Sequence, residues 1–318
     1  MRRRQIILAV VTGVLLGVLA ALLLLRPKAG GGAVPGPSAA PEAAPEEILV
    51  QPAEPDPREE GALPGPDAGP VGTGGELPLS DAVRACFLRL AGERGGGWNL
   101  CFLPLPEGEA LLWGEEEGPM VSASLIKLPV MAAVYERLEQ GTLDRESCES
   151  FLGPMITISD NSSANALVRL LGDGDEEAGM AAVNDWCRRN GLESTRMNRL
   201  MLQDNGLQNY TSAADCARLL AMIYRGDCVS PAASREMLDL LLLQRVNDRI
   251  PAQLPEGTPV AHKTGDLVGL CWADVGIVFS PGGDYILCVI SDGTASEFDA
   301  KTAAAALSRQ IYDLMNQA

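Results

Sequence analysis

Hydrophobic and polar positions divide the chain into three stretches. Ile6 to Leu25 run without a charge behind Arg2, Arg3 and Arg4, and at a helical rise of about 1.5 Å per residue such a run spans a hydrocarbon layer about 30 Å thick. Residues 1–28 are therefore expected to form a transmembrane anchor or a signal peptide, with the N-terminus cytoplasmic and the rest outside. No small-x-small cleavage site follows the run, which favours an uncleaved single-pass anchor over secretion after cleavage. Residues 29–78 are rich in Pro, Gly, Ala and Glu. They hold too few large apolar side chains to offset the entropy of ordering, so a disordered acidic linker is expected.

From 79 to 318 the pattern becomes that of a folded domain. Ser80 reads as an N-cap before Val83, Phe87, Leu88 and Leu90 at helical spacing, up to a stop at Gly95, Gly96 and Gly97. Two short strands follow, at 98–105 and 110–113, and then a long apolar helix over 124–140. The middle is mostly helical to about residue 243. Strands near 260–263, 272–279 and 285–291 and a last helix over 299–316 close the chain. This order predicts an α+β fold: a five-stranded antiparallel sheet built from both chain ends, an inserted all-helical lobe, and an active site in the cleft between them.

Composition narrows the chemistry. Hydrophobic residues make up 47% and aromatics 4%, which suits an aliphatic, helix-rich core. A net charge of −17 argues against nucleic acid as a partner, because phosphate binding draws on clustered Lys and Arg. The single histidine, His262, and the absence of any C-x-x-C pair argue against a metal site, and no cofactor is expected. Eight scattered cysteines permit disulfides in an exported chain. The simpler expectation is reduced, buried side chains acting as small apolar residues.

The candidate chemistry starts at Ser124-Leu125-Ile126-Lys127, at the head of the long helix. Residues three apart share a helix face, so the Lys127 amine can approach the Ser124 hydroxyl and take its proton if its own pKa is lowered. The helix N-terminus favours a developing oxyanion. One Ser-x-x-Lys pair is weak evidence. Ser159-Asp160-Asn161 alone would be a helix-capping turn, and Lys263-Thr264-Gly265 alone a strand end. All three occur here in order, within V-A-H-K-T-G-D-L and I-S-D-N-S-S-A-N-A-L, and together they are the motif set of class A β-lactamases and penicillin-binding proteins.

The chain from Ser80 to Ala318 thus resembles the class A β-lactamase-like serine hydrolases of that superfamily. The resemblance implies a β-lactamase/transpeptidase-like fold and four catalytic residues: Ser124 as nucleophile, Lys127 as acylation base, Ser159 as proton relay to the leaving nitrogen, and Lys263 sustaining the field that keeps Lys127 neutral. It implies that Asn161 binds the substrate's side-chain amide, that Thr264 and Lys263 bind its carboxylate, and that Gly265 lets the strand approach. The backbone N–H groups of Ser124 and Asp266 would form the oxyanion hole. Asn165 and Asn205 would position an omega-shaped loop. His262 is expected to be a sheet residue rather than a base.

Two departures stand out. Family members that hydrolyse β-lactams efficiently carry a deacylating glutamate in an E-x-x-x-N loop segment. Here the stretch reads R-M-N-R-L-M-L-Q-D-N, and aligning Asn205 with the last asparagine puts Met201 in the glutamate's place. Asp204 is the only nearby substitute. The arginine that many members carry after K-T-G is also missing from 266–280; Arg249 either reaches in or lies solvated at the surface. The expected function is acyl-enzyme formation on Ser124 with slow β-lactam hydrolysis, by a monomer anchored to a bacterial cell membrane through its N-terminal helix. Two alternatives stay open: a D-alanyl-D-alanine peptidase acting on peptidoglycan stem peptides, or an extracellular β-lactam sensor that does not turn over. A structural pseudoenzyme is disfavoured by the three intact motifs.

Overall fold

The computed structural model describes residues 78–114, 118–293 and 296–317. The expected anchor at 1–28 and the linker up to residue 77 lie outside the described residues. Among the described residues no helix is long and apolar enough to cross a membrane.

Helix α1 (Leu79–Arg94) leads into β1 (Gly97–Pro104) and β2 (Leu111–Trp113). The short strand β3 (Met120–Val121) precedes a 3-10 turn (Ala123–Ile126) that runs directly into α2 (Lys127–Glu139). Helices α3 (Arg145–Thr157), α4 (Asn161–Leu171) and α5 (Glu176–Arg189), strand β4 (Tyr210–Thr211), and helices α6 (Ala213–Arg225) and α7 (Pro231–Leu242) form the middle. Strands β5 (Val260–Leu267), β6 (Cys271–Val278) and β7 (Tyr285–Asp292) and helix α8 (Glu297–Asn316) complete the domain.

The sheet runs β2-β1-β7-β6-β5, antiparallel throughout. It joins the two ends of the domain around the helical insertion, as the element order predicts. The central strands are buried on both faces, because each alternate set of side chains meets its own layer. Leu100, Phe102, Tyr285, Leu287 and Val289 pack with Val83 and Phe87 of α1 and Leu307 and Ile311 of α8. Cys101, Ile286, Cys288 and Ile290 join the core of the helical lobe. Each fully buried side chain of this size contributes about 1.5–3 kcal/mol.

Local chemistry moves some boundaries. Pro78, not Ser80, stands at the N-cap of α1 and makes no side-chain cap; its carbonyl accepts from Asp81 and Ala82 N–H instead. Residues 124–126, expected within the long helix, wind as 3-10. The β3–β4 pair was not legible in the sequence; it ties the strand before Ser124 to the end of the 196–210 loop. All eight cysteines are buried, and burial pushes the thiols of Cys187, Cys228 and Cys271 up to about 12, which suits apolar filling rather than thiolate chemistry.

Candidate active site

Ser124 lies in the 3-10 turn and Lys127 at its end. Side chains at i and i+3 eclipse in 3-10 geometry, so the turn stacks the amine over the hydroxyl more directly than an α-helix does. Lys127 Nζ lies 3.0 Å from Ser124 Oγ. Ala123, just before the serine, holds φ at 44°, a left-handed conformation that costs an alanine energy and is typical of strain kept at functional sites. β5 passes close by: a Cβ on Gly265 would stand 3.1 Å from both the Leu125 side chain and the Ser122 carbonyl. Glycine is what lets the strand approach.

Two further segments converge on the same amine. Ser159 sits between α3 and α4 with φ at 59°, and Asp160 caps α4 by accepting from Ser163 N–H at 2.6 Å. This turn presents three acceptors to Lys127 Nζ: the Ser159 carbonyl at 2.5 Å, Ser159 Oγ at 3.1 Å and Asn161 Oδ1 at 2.8 Å. From β5, Lys263 Nζ donates to Ser159 Oγ at 2.8 Å and to the Thr264 carbonyl at 2.7 Å. Ser159 Oγ thus bridges two amines.

Burial lowers the Lys127 pKa to about 8, partly opposed by the nearby Asp160 carboxylate. Lys263 is driven well below the ordinary lysine value, first by complete burial and then by the charge of Lys127, with Asp274 and Asp266 opposing. Two ammonium groups on one hydroxyl in a dry site favour losing one proton between them. A neutral Lys127 still donates two hydrogen bonds and has a lone pair to receive the serine proton.

The far wall of the cleft is the 196–210 loop. Asn165, on α4, donates to the Met201 carbonyl at 3.0 Å and accepts from Met201 N–H at 2.8 Å. Asn209 accepts from the N–H groups of Asn198 and Arg199 and donates to the Arg199 carbonyl. Ser124, Asn161, Arg199, Met201, Asp204 and Asp266 line one pocket of about 310 Å³. A roomier groove of about 990 Å³ between α6 and β1 holds none of the motif residues.

A family model described as the beta-lactamase enzyme family matches residues 78–148 and 145–315. The chain belongs to this family. Among relatives, it is 31% identical to Beta-lactamase AST-1 of Nocardia asteroides over 176 residues, 54% of each chain. It is 28% identical to Beta-lactamase FAR-1 of Nocardia farcinica over 161 residues, 48% of each. The chain spans about half the length of these curated relatives. Among solved structures, PBP-A aligns at 26% identity with a TM-score of 0.67, covering 76% of this chain and 98% of that one. A leucine-to-glutamate mutant of PBP-A, described as an acyl-enzyme complex with penicillin G, aligns at 25% identity and the same TM-score, over 76% and 99% of the two chains. A class A beta-lactamase from Bacteroides cellulosilyticus shares the fold at 17% identity and a TM-score of 0.68, over 76% and 100%.

Within this family fold, the structure brings Ser124, Lys127, Ser159, Asn161 and Lys263 together, with Thr264 buried beside them and Asp266 on the pocket wall. One site residue differs from the sequence reading, and one left open there is decided. Asn205 does not position the loop from within: it is exposed, and its Oδ1 accepts from Leu207 N–H inside a turn. Asn209, outside the aligned stretch, has that role. Arg249 is not a solvated arginine. It is 1% exposed, donates to the Ala273 carbonyl at 3.0 Å and pairs with Asp266.

His262 is the sheet residue expected of it, buried between Asp274 Oδ1 and Asn247 Oδ1, each at 2.9 Å. Asp274 also accepts from Ile250 N–H at 3.1 Å, so this pair fastens the segment that carries Arg249. No cluster of metal-ligating side chains occurs among the described residues.

Proposed function

We propose that this domain is a serine hydrolase of the β-lactamase type that forms an acyl-enzyme on Ser124 and releases it slowly. Ser124 Oγ attacks the amide carbonyl as its proton passes to neutral Lys127. The oxyanion is held by the backbone N–H groups of Ser124 and Asp266. When the C–N bond breaks, Ser159 passes a proton to the leaving nitrogen and is resupplied by Lys127. Lys263 and Thr264 take the substrate carboxylate, and Asn161 takes its side-chain amide.

The observation that carries this reading is the convergence on Ser159 Oγ, 3.1 Å from Lys127 Nζ and 2.8 Å from Lys263 Nζ, while Lys127 reaches Ser124 Oγ at 3.0 Å. Slow release follows from Met201. Its backbone is pinned at the pocket wall, and a thioether cannot deprotonate water, so general-base help worth about 10²–10⁴ in rate is absent. Asp204 lines the same pocket but is exposed.

A second reading, a D-alanyl-D-alanine peptidase, shares every acylation step. Met201 and the likeness to PBP-A favour it as the physiological activity. The proposed setting is a monomer outside the cytoplasm, on a reading of residues 1–28 as an anchor that rests on the sequence alone. Intact-mass analysis of the full chain with benzylpenicillin should show one covalent adduct persisting for minutes or longer, and none in Ser124→Ala. An unlabelled parent would dispose of the proposal. Rapid turnover without an accumulating adduct would leave an ordinary β-lactamase.

A further inference from the structure

Arg199 differs from the other buried arginine of the domain. Arg249 is matched by the carboxylate of Asp266. Arg199 is 8% exposed, yet among the described residues no ion pair includes it. Its partners are neutral: Nη1 donates to the Leu200 carbonyl at 3.2 Å and Nη2 to Gln208 Oε1 at 2.9 Å. Nε is buried without a partner. A guanidinium withdrawn from water ordinarily requires a compensating anion.

This cation is part of the catalytic pocket wall, together with Ser124, Asn161, Met201 and Gln208. Each Nη carries two hydrogens and makes one bond to the protein, leaving one N–H on each for an anion. The pocket's own acids do not fill that role. Asp266 is committed to Arg249, and Asp204 is exposed and makes no ion pair with Arg199.

We propose that Arg199 forms an anion subsite that takes a carboxylate carried on the acyl side of the scissile amide. This rests on the reading of Ser124 as nucleophile. In the proposed function the substrate's core carboxylate is already served by Lys263 and Thr264 on β5. Arg199, on the 196–210 loop, lines the same pocket as Asn161, which in the proposed function takes the acyl side-chain amide, so it selects a second, separate negative charge. Preferred substrates are then dianionic, with one carboxylate on each side of the reacting bond.

The test compares second-order acylation constants of the full chain with benzylpenicillin and with carbenicillin, the same compound bearing a side-chain carboxylate, followed by intact mass. The parent should favour the dianion by about tenfold. That ratio should fall toward one in Arg199→Gln, and should survive in part in Arg199→Lys, which keeps the charge but loses the fork. Added salt should erode it in the parent. Equal constants in the parent, or a preference unchanged in Arg199→Gln, would overturn the subsite while leaving the nucleophile assignment intact. If neither compound labels Ser124, the proposed function fails and the subsite falls with it. Should Arg199→Gln not fold, the lysine variant and the salt dependence still decide.

Discussion

The two walls of the cleft are built to different standards of chemical completeness. On the wall formed by the 3-10 turn, the 158–161 turn and β5, the motif side chains are linked: Lys127 joins Ser124, Ser159 and Asn161, and Lys263 secures Ser159. On the wall formed by the 196–210 loop the backbone is held just as firmly, by Asn165 and Asn209, but Met201 presents an apolar side chain. In the proposed function the first wall serves bond breaking by Ser124, while Met201 offers the second no base for water.

The sharpest way to break this contrast is at the complete wall. Lys127→Ala should lower the benzylpenicillin acylation constant by about 10²–10⁴ with the fold retained, measured by intact mass and circular dichroism. A loss of less than threefold would show that the amine is not the base. The next effect is one of pH. Because burial has brought the Lys127 pKa down to about 8, the competent neutral amine grows about tenfold per pH unit below that value. Acylation should therefore climb between pH 6 and 8 and level off above, in stopped-flow or quench traces. A flat profile would remove Lys127 titration from the account. The smallest effect belongs to the loop wall. Asn165→Ala removes both bonds to the Met201 backbone and should cost about 1–3 kcal/mol of stability, with earlier proteolytic cutting of the 196–210 loop. Unchanged cutting would mean that Asn165 does not hold that wall.

The sequence made the complete wall legible and the other wall only partly so, for a physical reason. Ser124, Lys127, Ser159 and Lys263 are constrained in type, order and local element at once, so three short motifs identify them. The loop is held by amide-to-backbone bonds that any neighbouring asparagine can supply. Asn209 was therefore missed and Asn205 chosen in its place. Met201 was reached by aligning Asn205 with the last asparagine of the loop pattern, and Asn165 holds its backbone at the pocket wall. Arg249 was left open because its burial depends on Asp266 and the Ala273 carbonyl, which approach only once β5 and β6 pair. The 3-10 turn at Ser124 could not be read from apolar spacing, which a 3-10 turn and a first α-helical turn share.

Supplying the missing group tests the claim that the second wall lacks only a base. In Met201→Glu the acyl-enzyme formed with benzylpenicillin should decay at least tenfold faster than in the parent, toward the 10²–10⁴ range of general-base help, while the acylation constant stays within about threefold. A parent adduct that already clears within seconds, or a glutamate variant whose adduct persists as long as the parent's, would contradict the account.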